Sequence, residues 1–83
     1  SQFPELDFPV VSVTTYRDAS APEIMDNDVT DVIEDAISNV EGIDYMQSQS
    51  SQGVSVVTTY FRLNRDVDAA MQDVQNAVSA AAN

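Results

Sequence analysis

Cysteine, histidine and lysine are all absent from this 83-residue chain, and each absence excludes something. Without cysteine there are no disulfides and no thiolate metal sites, and no redox compartment is indicated. Without histidine the usual general base near neutral pH and the commonest transition-metal ligand are missing. Without lysine, Arg17, Arg62 and Arg65 are the whole positive charge against 14 acidic residues, a net charge of −11. Such a surface repels phosphate backbones and anionic lipid, which argues against nucleic-acid and membrane-surface binding; the acid excess serves solubility and suits a high-salt environment. Gly42 and Gly53 are the only glycines, so no glycine-rich phosphate loop exists. No apolar run approaches the roughly 20 residues of a membrane span, and no signal peptide is seen. The expectation is one small domain that is not itself inserted in a membrane.

What is present is a repeat. Val-Thr-Thr-Tyr occurs at Val13 to Tyr16 and again at Val57 to Tyr60, each time in a β-branched run followed by helical periodicity. Two copies are too few for a solenoid, which needs about three. The pattern predicts a pseudo-two-fold α+β sandwich in which two helices cover one face of an antiparallel sheet.

Along the chain, residues 1–9 carry Phe3-Pro4 and Phe8-Pro9 and read as an extended lead-in, because proline disfavours helix for the residue before it. Strand one is expected over Val10 to Tyr16. Ser20-Ala21-Pro22-Glu23 fits a capping box opening a long helix that runs to about Val40. Its apolar stripe is Met25, Val29, Val32, Ile33, Ala36, Ile37 and Val40. Gly42 stands where a left-handed C-terminal cap belongs. Tyr45 to Ser50 and Val54 to Leu63 read as a hairpin turning at Ser51-Gln52-Gly53. Asp66 is the expected N-cap of a second helix whose buried stripe is Val67, Met71, Val74 and Val78. The order β-α-β-β-α is a ferredoxin-like arrangement without its final strand, which would lie beside strand one, so that strand should present an open edge.

The carboxylates Asp26, Asp28, Asp31 and Asp35 fall in pairs on one side of the first helix, but on its solvated flank, where nothing apolar raises a pKa. Asp26-Asn27-Asp28 lacks the glycine and closing glutamate of a calcium loop. Met25, Met46 and Met71 are scattered gap-fillers rather than soft-metal ligands. Tyr45, Tyr60 and Phe61 have no basic residues interleaved, unlike an RNA platform. An acylphosphatase-like hydrolase would need an anion-cradling loop, and Arg17-Asp18 is a poor one. No catalytic residue, cofactor site or metal site is expected, and the chain reads as a non-enzyme. On the second helix, Asp68, Gln72, Asn76 and Ser79 share an arc of roughly 80° away from the apolar stripe, with Ala69, Ala77 and Ala80 on the flank between.

Taken together in order, Pro9-Val10-Val11-Ser12-Val13, Ala19-Ser20-x-Pro22-Glu23, Val29-Thr30, Ile33-Glu34, Ala36-Ile37, Val40-x-Gly42-Ile43, Ser48-x-Ser50, Gly53-Val54-Ser55, Asp68-x-Ala70 and Asp73-Val74-Gln75 resemble the first periplasmic porter subdomain of resistance-nodulation-division efflux permeases. The resemblance runs from Pro9 to near the end. One departure is Tyr16-Arg17-Asp18-Ala19-Ser20, where the family often has Tyr-Pro-Gly-Ala-Ser. The resemblance implies a proton-driven inner-membrane exporter of drugs or other amphiphiles, working as a homotrimer with a periplasmic adaptor and an outer-membrane channel. This segment would lie in the periplasm or at the cell exterior as a single porter subdomain spanning residues 1–83. In the family the second helix is the pore helix, three copies of which surround the trimer axis. That places Asp68, Gln72, Asn76 and Ser79 on a pore-facing assembly surface. Composition and periodicity alone would equally suit a free-standing acidic ferredoxin-like interaction or ligand-sensing module.

Overall fold

A computed structural model describes residues 8–82. The elements are β1 (Val10–Tyr16), α1 (Pro22–Met25), a π-helical turn (Asp26–Thr30), α2 (Asp31–Ile37), β2 (Ile43–Ser51), β3 (Val54–Phe61) and α3 (Val67–Ala81). The strands form one antiparallel sheet in the order β1-β3-β2. The helices cover one face, which gives the expected α+β sandwich. Phe3-Pro4 lies outside the described residues; Pro9 is buried, and its carbonyl accepts a 2.9 Å bond from the Phe61 amide.

The repeated tetrapeptide supplies β1 and β3, and the register sets Val13 opposite Val57. An antiparallel pair related in this way keeps the same residues inward in both copies, since side chains alternate with period two. On β3, Ser55, Val57, Thr59 and Phe61 are buried, and the residues between them face the helix-free side. The core joins Val57 and Phe61 to Val11, Ile33, Ile37, Ala70 and Val74. Phe61 is the largest of these, and truncating it to alanine should cost about 3–5 kcal/mol.

The first helix departs from expectation. It is capped by Ala21 in an extended conformation with no side-chain cap bond, so the capping box through Ser20 and Glu23 does not form. The Ser20 carbonyl instead accepts from the Gly53 amide at 2.8 Å, tying the entry loop to the hairpin turn. The helix is then interrupted by the π-helical turn and ends at Ile37, short of Val40. A π turn inserts an extra residue and so rotates every later helical position about the axis. Thr30 is consequently fully buried while Val32, assigned to the stripe, is 44% exposed. Thr30 is held inside by its hydroxyl, which lies 2.7 Å from both Ser50 Oγ and Ser55 Oγ. Ser50 Oγ donates in turn to the Asp26 carboxylate at 2.8 Å.

Gly42 has φ +85° as expected of a left-handed residue, but it sits in the turn feeding β2 rather than directly after the helix. A Cβ there would meet the Arg65 side chain at 3.1 Å. Arg65 is the clamp of this corner: it donates to the Glu41 carbonyl at 3.1 Å and to Asp73 on α3, and its guanidinium lies 5.6 Å from the Phe61 ring centroid. β2 is longer than expected and β3 ends at Phe61 rather than Leu63.

Candidate functional site

Asp66 opens α3 as expected, its carboxylate accepting from the Ala69 amide at 2.8 Å. Such a cap contributes about 1 kcal/mol and fixes where the helix starts, hence which residues face outward. The buried side matches the expected stripe at Val74 and Val78 but not at Val67 and Met71. Ala70 and Val74 are buried and Ala77 and Val78 pack against the core, while Val67 and Met71 are 42% and 44% exposed. Small Ala70 lets the helix sit close to the sheet. Met71 instead borders a groove beside β1, and Val67 lies beside Phe8 and Pro9.

Asp68, Gln72, Asn76 and Ser79 are all exposed on α3. Gln72 and Asn76, one turn apart, are joined by a 3.0 Å bond from Gln72 Nε2 to Asn76 Oδ1. Beyond Asp68 this face carries no charge. Of the three flanking alanines, Ala69 and Ala80 are exposed, whereas Ala77 turns toward the core.

The first helical segment presents a different surface. Asp26, Asp28, Asp31 and Asp35 are all exposed. Arg17 reaches Asp28 at 3.4 Å with both side chains about half exposed, a pair worth little in water. Asp31 titrates above the ordinary aspartate value because of local desolvation and then repulsion from Asp26, Glu34 and Asp35. An exposed acid of this kind has no apolar pocket and no oriented partner with which to do proton chemistry. Among the described residues, no group of three or more acidic side chains converges where it could hold a metal ion.

Periodicity along the chain gives no sign of a 670 Å³ groove between the free edge of β1 and α3, lined by Val10 to Thr14 and by Met71, Gln75, Val78 and their neighbours. Gln72, Asn76 and Ser79 border it. The signal that could have found it is the uncharged run from Val10 to Tyr16, placed at a sheet edge. No described helix is long and apolar enough to cross a membrane.

The profile of the AcrB/AcrD/AcrF family matches residues 1–83, the whole of the chain. The chain belongs to that family. It is therefore part of the resistance-nodulation-division group of efflux permeases, which are inner-membrane transporters and not enzymes. Family membership turns attention from chemistry to assembly, work suited to a helix face that carries no charge beyond Asp68.

Proposed function

We propose that this chain is the first periplasmic porter subdomain of a proton-driven permease that exports drugs or other amphiphilic compounds, and that α3 is its pore helix. The observation that carries the reading is the contrast between two exposed helix faces. The first helical segment displays Asp26, Asp28, Asp31 and Asp35, whereas the α3 face has a single acid, Asp68, at its start and then Gln72, Asn76 and Ser79, with Gln72 and Asn76 already paired. Three copies of an acid-rich helix could not approach a common axis without strong repulsion; three copies of a face with one acid at its end and amides along the rest repel far less. Interface cores are depleted in charge for the same reason.

The helix-free side of the sheet supports the same placement. Tyr45 and Tyr60 stack there with ring centroids 4.4 Å apart and planes 11° from parallel, next to Ser12, Thr14, Gln47, Gln49, Val56 and Thr58, none of them charged. In a chain of net charge −11, an uncharged sheet face suits a piece enclosed by other parts of a larger protein. In this reading Asp68, Gln72, Asn76 and Ser79 are assembly and gating residues of a homotrimer.

Disulfide trapping in the full-length transporter tests this. Gln72→Cys or Asn76→Cys should cross-link protomers under mild oxidation and impair export, and reduction should restore it. Asp31→Cys and Asp35→Cys should do neither. Equal cross-linking at both pairs of positions would remove α3 from the axis.

A further inference from the structure

Among the described residues, one side-chain bond alone joins α3 to another part of the chain, the ion pair between Asp73 and Arg65. The Asp66 cap and the bond from Gln72 to Asn76 stay within the helix and its first turn, so they shape α3 without tying it to the sheet. Arg65 is itself anchored. Its Nε donates to the Glu41 carbonyl at 3.1 Å, its guanidinium lies 5.6 Å from the Phe61 ring centroid, and its side chain is only 18% exposed. It passes over Gly42, where a Cβ would stand 3.1 Å from Arg65 Cδ and Nε. The main chain stitches the same two turns together, the Arg62 amide donating to the Gly42 carbonyl at 2.8 Å and the Arg65 amide to the Arg62 carbonyl at 3.2 Å.

Packing leaves one freedom of α3 weakly fixed, its rotation about its own axis. The residues it sets on the core are Ala70, Val74, Ala77 and Val78, and the two alanines offer a methyl group with little to interlock. Apolar burial is non-directional, so a face this smooth resists turning poorly. At about 100° per residue, Asp73 stands a little over a quarter turn from Val74, on the flank away from Met71. A bond there acts at the rim of the helix and opposes rotation. Gln72 and Asn76 lie two residues either side of Val74 and so nearly opposite the core. On a helix about 10–12 Å across, a turn of about 20° carries them sideways by roughly 2 Å.

We propose that Arg65 is the positioning residue of α3: it couples the turn between α2 and β2, held at the Glu41 carbonyl, to Asp73, and so sets the rotation of α3 and the aim of Gln72, Asn76 and Ser79. The task requires arginine. Two nitrogens of one rigid planar fork bond in two directions at once, whereas a lysine ammonium is a point charge on a flexible stem. The aim of that face bears on export only under the pore-helix reading above; the link through Arg65 does not rest on it.

Amide hydrogen exchange and disulfide trapping in the full-length transporter read this role. Arg65→Met keeps the stem over Phe61 and removes the fork. The amides of Glu41 to Ile43 and of α3 should then exchange about tenfold faster or more, while those of β1 and β3 stay as they were. Asp73→Ala should loosen α3 alone and leave the Glu41 to Ile43 turn protected. With Gln72→Cys or Asn76→Cys in place, cross-linking between protomers should fall by more than half in Arg65→Met and in Asp73→Ala, and Arg65→Lys should restore neither readout. Uniform acceleration across the sheet, no acceleration, wild-type exchange in Arg65→Lys, or undiminished cross-linking beside Arg65→Met would overturn the proposal. Failure of Gln72→Cys and Asn76→Cys to cross-link with Arg65 in place would remove the pore reading instead, and the exchange pattern would then decide the role of Arg65 by itself.

Discussion

Thr30 Oγ1 and Ser55 Oγ lie 2.7 Å apart, and both residues are fully buried. This contact joins the π-helical turn to the central strand, and Ser50 and Asp26 extend it to the surface. Thr59, four residues along β3, is equally buried, yet its hydroxyl has no partner among the described residues. A buried hydroxyl with partners and one without should respond oppositely to the same change. Thr30→Val strands the Ser55 hydroxyl and should cost about 2 kcal/mol, whereas Thr59→Val removes an unpaired group and should be neutral or stabilising by up to about 1 kcal/mol. Urea midpoints at constant slope decide this. Equal destabilisation by both would mean that Thr59 is satisfied after all.

Ala19 has φ +57° in the turn between β1 and α1, directly after Arg17-Asp18. A side chain in the left-handed region costs about 1–2 kcal/mol, and glycine removes most of that while giving back some unfolded-state entropy. Ala19→Gly should therefore raise stability by about 0.5–1 kcal/mol, a gain of several degrees in melting temperature for a domain of this size. A lower melting temperature would show that the turn is not strained.

Asp31 is raised above its ordinary value of 3.8 by desolvation and by its acidic neighbours. A carboxyl that holds its proton more tightly folded than unfolded favours the fold most below 3.8, and that contribution is lost as pH rises through the raised value. Asp31→Asn should raise the melting temperature at neutral pH, and its advantage should vanish on acidification. Melting curves of both proteins from neutral to acid pH give the answer; a constant difference would place the repulsion elsewhere.

With 14 acids against three arginines, and Arg17 and Arg65 already engaged with Asp28 and Asp73, self-repulsion dominates the surface. Salt at about 0.15 M screens exposed charges beyond about 8 Å. Melting temperature should rise as sodium chloride goes from low to molar concentration, with a second salt separating screening from ion-specific effects. A flat or falling response would exclude a salt-adapted surface.

Where local signals act alone, the sequence was a good guide. β1 occupies Val10–Tyr16, the hairpin turns at Gln52-Gly53 with Gly53 at φ +69°, and Asp66 caps α3. These depend on alternation, on one turn residue or on one side chain three residues from its partner. Where two elements compete for a residue, the sequence misled. The Ser20 carbonyl is taken by the hairpin turn, Thr30 is drawn inward by Ser50 and Ser55, and the helix period slips around that anchor. The apolar period of α3 included Val67 and Met71, but periodicity does not tell which apolar residues the sheet is wide enough to cover. The exposed set Asp68, Gln72, Asn76 and Ser79 was legible because it needs only the helix and its capped start.

The sequence by itself determined the α+β class, the antiparallel hairpin, the family and the absence of histidine, cysteine and lysine chemistry, because composition, alternation and caps act over a few residues. Tertiary structure alone decided the π turn, the hydroxyl network beneath it, the Arg65 clamp and the groove beside β1. Each of these depends on which strand lies next to which. The open edge of β1 was expected from the order of the elements, but which of its amides turn outward follows from its register with β3, and a period along one chain cannot specify that.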